Sequence, residues 1–482
     1  MRNIFFGRHP RFILSAIACL FCLSLAASGQ NSKAKAVSAP EIEPDTNRVS
    51  LLQPLKLKDT GKNATDQYLT LQQCIDYALQ HQPGVNISLI NIDIAKTTND
   101  INLSGTLPQV TASGNLIHYI QQSGPGASNS TSGTVAPTGP GNNYSFVPGL
   151  ALTQSIFNPS LLYAYKSAPL YVKQARQTSD SAKIFLVSSV SKTFYTLLNN
   201  LEQINVLKED TAEFGKSLRD AYHQYKGGIV DETDYEQAQI TLNNTRAQLK
   251  QATENIVPQY AALKRLMGYP VDKQFNVVFD TLEMMRNIHI DTAQQLEFEK
   301  RIEYQQLATS KDLQNQLVNY YRYSFLPTVS AFYNYNLSYQ NNHLSDLFST
   351  SYPNSLVGVS FSVPIFTGFA RLNNLRKAKL QRQILDWVET DLKLQINSEY
   401  TSALANYKSN YYDLQVLQKN VELSKRVYFV VSLQYRQGII PYLNVITAES
   451  NLITSEINYL NALFQVLSNK IDLEKAMGNI SY

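Results

Sequence analysis

The chain has 482 residues, 44% of them hydrophobic and 17% charged, with a formal net charge of +4. Three of the 42 basic residues, Arg2, Arg8 and Arg11, stand in the first 29 positions, which hold no acid, leaving 39 bases against 38 acids. So close a balance excludes global electrostatic steering of nucleic acid or of an acidic partner.

Met1, the three arginines and the apolar run Phe12 to Leu25, ending in AASG, have the layout of a secretory signal peptide. Residues 1–29 are therefore predicted to be removed, with cleavage after Gly29. The run is short for a bilayer span and is not repeated downstream, so no transmembrane helix is expected in the mature chain. Export leads to periplasm, outer membrane or medium. Two of the three cysteines, Cys19 and Cys22, lie in this segment, and Cys74 is left without an intrachain partner. Cys19 follows AIA, a poor lipoprotein box, and reads as an ordinary signal residue. Residues 30–67 read as an extended tail.

Thr70 and Gln73 in TLQQ form a capping-box start for a helix over Leu71 to Asn102. A hairpin over 107–157 follows, in which Tyr144, Phe146, Pro148, Leu150 and Leu152 alternate loosely with smaller residues. Its loop, QQSGPGASNSTSGTVAPTGPGNN, has the Gly, Ser and Pro content of a mobile connection. Pro159 to Tyr225 reads as one very long helix, with Pro159 in its first turn and a kink expected at Pro169. Asp231 to Met267 is a helix about half as long. Residues 269–293 join the two halves and contain VVF, a candidate short strand in a belt around the helices.

The second half follows the same plan. A helix is predicted over Gln294 to Tyr321 and a hairpin over 325–366. In its first strand Val329, Ala331, Tyr333, Tyr335, Leu337 and Tyr339 alternate with polar or small residues, and in its second Val357, Val359, Phe361, Val363 and Ile365 do so. A long helix over Gly368 to Tyr435 and a shorter one over Pro441 to Met477 complete it, with 479–482 as a tail. Tyr225 to Gly268 and Tyr435 to Gly478 align without a gap, pairing Gly228 with Gly438, Ala238 with Ala448, Leu242 with Leu452 and Met267 with Met477. SIF before Asn158 matches PIF before Thr367, and TLPQVTASGNL matches FLPTVSAFYNY. The domain plan is thus two repeats, 68–268 and 294–478.

Charge is kept out of the hairpins. Asp100 to Lys166 encloses no charged side chain, and Arg322 to Arg371 encloses only Asp346. Strands of about twelve residues tilted near 45° cross about 28 Å, which suits an outer-membrane barrel with lipid outside and a hydrated lumen inside. Four strands cannot close a barrel, and open edges are not tolerated in hydrocarbon, so the chain must oligomerise. Three copies leave room for a passage where two would be filled by side chains. The long helices, at about 1.5 Å per residue, each reach about 100 Å. Stretches such as SSVSKTFYTLLNNLEQ keep no strict heptad, which fits a helical wall with one wet face better than a dry coiled coil.

The repeat, the LPQV and LPTV starts of the hairpins, SIF and PIF at their ends, and the Y-[KR]-x-G-I-[VI] turns together resemble the TolC-like outer-membrane efflux family over roughly residues 68 to 480. The resemblance implies a mixed α and β membrane protein: a homotrimer with a twelve-stranded transmembrane barrel continued by a twelve-helix periplasmic barrel. It implies an exit duct of a tripartite efflux or type I secretion system in the outer membrane. The implied partners are outer-membrane lipid, a periplasmic adaptor and, through the adaptor, an inner-membrane pump of RND, ABC or MFS type, with no nucleic acid and no cofactor. By the same resemblance the two turns form the periplasmic gate and adaptor-docking tip. The residues carried over are Tyr225, Lys226, Gly227, Gly228, Asp231 and Asp234 in one hairpin and Tyr435, Arg436, Gly438 and Pro441 in the other.

The residues themselves suit such turns: Gly228 and Gly438 take positive φ readily, Pro441 fits the first turn of a helix, and Asp231 and Asp234 are natural caps. As a gate, three copies of Lys226, Arg436, Asp231 and Asp234 would hold the entrance shut by ion pairs or charge rings. Pro441, Tyr442 and Asn444 depart from the polar and acidic residues common at such tips, which leaves the identity of the gating pairs open. The six histidines form no metal-spaced cluster, and no phosphate loop or nucleophile elbow is present, so no catalytic site is read. The alternatives are a trimeric membrane-anchored stalk and, less suited to two charge-free hairpins, an adaptor.

Overall fold

The computed structural model describes residues 68–120, 142–278, 288–290 and 294–482, all within one unit, Ala64–Tyr482. The signal, the tail and most of the first hairpin loop lie outside the described residues. In chain order the elements are β1 (Tyr68–Leu69), α1 (Leu71–His81), α2 (Pro83–Ser104), β2 (Gln109–His118), β3 (Tyr144–Phe157), α3 (Pro159–Lys226), α4 (Glu232–Met267) and β4 (Asn276–Val277). The second half has a 3-10 turn at Phe298–Lys300, then α5 (Ile302–Tyr323), β5 (Thr328–Asn341), β6 (Ser351–Ser362), α6 (Ala370–Arg436) and α7 (Tyr442–Met477).

α3 and α6 run for 68 and 67 residues, about 100 Å each. Asn158 starts α3 by accepting a hydrogen bond from the Ser160 amide at 2.9 Å, with Pro159 in the first turn, and the helix continues through Pro169. α2 and α4 both lie along α3, with α1 touching all three, while α5 and α7 both lie along α6. Shorter helices thus stack beside each long one. α3 also packs on α5 and α7, which joins the two halves.

The helix predicted over Leu71 to Asn102 is broken at Gln82. Pro83 supplies no amide to the ladder, and the extended Gln82 starts a new helix by accepting from the Val85 amide at 2.7 Å. The capping box at Thr70 and Gln73 is present. The helix predicted from Gln294 starts only at Ile302, because Arg301 before it is extended and its guanidinium is buried. There it donates to Glu303 at 2.9 Å, to Glu399 of α6 at 2.8 Å and to the Ala476 carbonyl of α7 at 3.0 Å.

β2, β3, β5 and β6 form one antiparallel sheet in that order. The last strand lies earlier than the alternation predicted. It ends at Ser362, short of Pro364, which has no amide to donate, and reaches back to Ser351 through Pro353 on an edge. Register places Val110, Leu152, Tyr333 and Val357 in one row across the sheet and Ser113, Gly149, Asn336 and Asn354 in another. Directly paired residues share a face, so one face is apolar and the other polar. The apolar row is open, with Val110 65% and Val357 80% exposed.

Between the ends of the columns lies the main core, where Phe194, Leu197 and Leu198 of α3 meet Cys74, Leu263, Met267 and Leu467. β1 and β4 pair in parallel beside it, and the Val278 amide donates to the Leu69 carbonyl at 3.0 Å. Of VVF, Val277 is strand and Val278 is not, while Phe279 lies outside the described residues. Among the described residues no helix is long and apolar enough to cross a membrane.

Candidate functional site

Far from the sheet, α3 turns into α4 and α6 into α7 by the same backbone device. The Ile229 amide donates to the Gln224 carbonyl at 2.9 Å and the Gly228 amide to the Tyr225 carbonyl at 3.0 Å. In the other turn Ile439 donates to Gln434 at 3.0 Å and Gly438 to Tyr435 at 2.8 Å. This is a Schellman closure, and it needs a left-handed residue at the glycine: φ is 70° at Gly228 and 72° at Gly438. Space is not the reason for glycine here, since a Cβ at either would meet nothing.

The structure brings the two turns together. The Tyr435 hydroxyl donates across the seam to Gln224 Oε1 at 2.5 Å. Tyr442 is buried with Ala221, Ala238 and Val445, and its ring lies 5.2 Å from that of Tyr435. Burial, reinforced by the negative charges of Asp234 and Asp220, pushes the Tyr435 phenol up to about 12, so it stays a donor. Burial and the neighbouring Asp231 also raise Asp234 above the usual carboxylate range.

The charged residues expected at the turns are placed there, but within one chain they do not pair. Lys226 lies over the rings of Tyr222 and Tyr225, at 5.6 and 5.7 Å from their centroids, instead of against a carboxylate. Tyr225 in turn stacks on Tyr235. The lower columns hold Lys216 to Glu213 and Lys425 to Glu456, both at 3.0 Å, and no ion pair among the described residues includes Lys226, Arg436, Asp231 or Asp234. Asp231 occupies the N-cap of α4 without a side-chain cap bond, because its carbonyl, at 3.2 Å from the Asp234 amide, takes that role. Pro441 is the N-cap of α7, one position before the first turn predicted for it, since its ψ of 157° is extended. Gly227 is the C-cap of α3.

The sequence carries no pattern at Gln224, and it marks Tyr442 only as a departure from the usual tip until its burial is seen. Ile229 and Ile439, read only as part of the repeated turn motif and not as site residues, occupy the same place in both repeats and stand 74% and 64% exposed. Their equivalence was the available signal.

A sheet with an exposed apolar face, carried on helical columns that return to paired turns at one end, defines a class: membrane-inserted strands extended by a long helical wall. The chain belongs to the outer membrane efflux protein family, whose profile matches residues 74–269 and 296–479. It is 21% identical over 418 residues to the probable efflux pump outer membrane protein TtgC of Pseudomonas putida, covering 85% of this chain and 82% of that one. It is 23% identical to the outer membrane protein TolC of Escherichia coli, covering 69% of each, and 22% identical to the cation efflux system protein CusC of the same species, covering 61% of this chain and 64% of that one. Among solved structures, the CmeC outer membrane channel of Campylobacter jejuni superposes with a TM-score of 0.68 at 19% identity, covering 92% of this chain and 94% of that one. VceC of Vibrio cholerae gives 0.68 at 16%, covering 85% and 96%. The chain is accordingly an outer-membrane efflux protein with a large periplasmic helical part.

Proposed function

We propose that three copies of the chain form a passive exit duct whose strands close a twelve-stranded barrel and whose columns close a twelve-helix tunnel. The observation that carries this reading is the four-stranded sheet with one exposed apolar face and two unpaired edges, β2 and β6. In hydrocarbon such edges demand partners, and further copies of the same sheet supply them. The duct performs no chemical step on its cargo.

At the other end, Lys226, Arg436, Asp231 and Asp234 form no ion pair among the described residues and so are available to neighbouring copies, which would shut the entrance by charge pairs around the axis. Exposed Ile229 and Ile439 give the rim an apolar knob at each turn, suited to a periplasmic adaptor that links the duct to an inner-membrane pump. Relatives from Pseudomonas putida carry names for toluene and for solvent efflux, and CusC one for cation efflux, which supports a conduit that leaves cargo selection to the pump. The test is the mass of the purified mature protein in detergent and its insertion into lipid vesicles. A trimer that inserts is expected, whereas a monomer, or a trimer that stays in solution, overturns the reading. A trimer that inserts but never conducts is the membrane-anchored stalk.

A further inference from the structure

The seam between the two helical hairpins contains a feature that packing alone does not explain. On α7 the residues facing the seam are Tyr442, Val445 and Glu449, spaced as one helical stripe, and Glu449 is only 3% exposed. On α3 the facing stripe runs Leu207, Asp210, Phe214 and Ala221. In the aligned first repeat the position of Glu449 is Gln239, which is exposed. A buried stripe is expected to continue with apolar side chains. This one holds the buried Glu449 and, facing it, the half-buried Asp210.

Neither carboxyl is fully satisfied. Asp210 Oδ2 and Glu449 Oε2 are buried without a hydrogen-bond partner. The charged groups that face them add to the negative field. Glu449 feels Glu213 and Asp210 of α3, and Asp210 feels Glu456 and Glu209. Lys216 and Lys425 are taken by Glu213 and Glu456, and Arg436, which faces Tyr428, is not among the charges that act on either carboxyl. Tyr428 of α6 and Tyr442 of α7 face Glu449 with neutral phenols. Two ionised carboxylates buried together without a cation would push the helices apart, while a proton on each removes the repulsion and supplies a donor.

We propose that Asp210 and Glu449 form a proton-operated latch across the seam of each chain, holding the two hairpins together when protonated and releasing them toward the open tip when ionised. Burial, with the neighbouring acids, pushes Glu449 up to about 8 and Asp210 up to about 7. The packed form therefore binds protons more tightly than a parted form in which water reaches both groups. Rising pH, from the ordinary carboxylate range through about 8, strips the protons and favours parting; falling pH favours the packed seam. The latch rests on the duct reading only for its effect on flow.

The test follows hairpin separation and flow independently. Spin labels at Ile229→Cys and Ile439→Cys report the distance between the two turns, and native Cys74, buried with its thiol pushed up to about 12, does not label. The ratio of parted to packed hairpins is expected to rise at least about tenfold between about pH 6 and about pH 9 in the trimer, and to stay low throughout in Glu449→Gln/Asp210→Asn, where no proton can leave. Circular dichroism and trimer mass verify that this near-isosteric pair of substitutions folds. Distances that ignore pH, or that still respond in the double variant, overturn the latch. If distances respond while no form of the protein ever passes current, the latch stands and the duct falls. If tip-charge variants conduct while distances ignore pH, the duct stands and the latch falls.

Discussion

Glycines at matching places in the two repeats do different physical work. Gly268 and Gly478 end α4 and α7 at φ of 67° and 74°, as Gly228 and Gly438 do at the turns, but they are also pressed against backbone. A Cβ at Gly268 would come 2.6 Å from the His81 carbonyl oxygen, at the break between α1 and α2, and one at Gly478 would come 2.8 Å from that of Lys300, just before α5. Each half therefore closes on the start of its own first columnar helix. Gly228→Ala is expected to cost only the left-handed conformation, about 1 kcal/mol, whereas Gly268→Ala must also move backbone and is expected to cost at least about 2–3 kcal/mol. Thermal melting of the two variants orders them, and equal melting points would contradict the account. Tyr435→Phe deletes one seam hydrogen bond worth about 1 kcal/mol and is expected to shift the closed-to-open ratio about fivefold toward open, read as open probability in a bilayer. At this scale the sequence showed which residues stand at the turns, because glycine and tyrosine repeat there. It did not show that Lys226 lies on tyrosine rings, since that choice is made by side chains on neighbouring turns of helix.

The elements were legible where a local rule is strong. The capping box at Thr70 and the start at Asn158 and Pro159 are local, and both helices begin there. The misplaced limits have two kinds of cause: prolines without an amide, Pro83 and Pro364, interrupt patterns that read as continuous, and a distant partner acts at Arg301, which is held extended by Glu399 and the end of α7. One cluster at this scale has a pH signature. Lys311 of α5 bonds Glu389 of α6 and, at 2.8 Å, Asp386, while Lys393 and Tyr304 also reach Glu389. Hydrogen bonds from Lys311, Lys393 and Tyr304 hold the Glu389 carboxyl down to about 2. A depressed carboxylate contributes stability above its unfolded pKa of about 4.3 and loses it as pH falls toward the folded value. Wild type is therefore expected to melt above Glu389→Gln near neutral pH, with the gap shrinking as pH falls from about 5 toward about 2. A gap independent of pH would show that the cluster acts through packing alone.

For the whole molecule, what the sequence could show was the plan: two repeats, two hairpins kept free of charge, and helices too long for a globular core. What lies between chains has no local signature, and the pairing of tip charges belongs to that class. The sheet makes its own prediction. Val359 stands on the apolar face and 64% exposed, and Val359→Arg is expected to cost about 2–4 kcal/mol if that face meets the bilayer midplane. Urea titration of vesicle-inserted protein measures it, and a substitution without effect would mean that the face does not meet lipid. The most direct test of a duct shut at its helical end is single-channel conductance of the mature protein in a planar bilayer, wild type beside Asp231→Ala/Asp234→Ala and Arg436→Ala. A small wild-type conductance that rises several-fold in either variant is expected; a wide-open wild type, or a protein that passes no current in any of the three forms, would show that tip charges do not hold a duct shut.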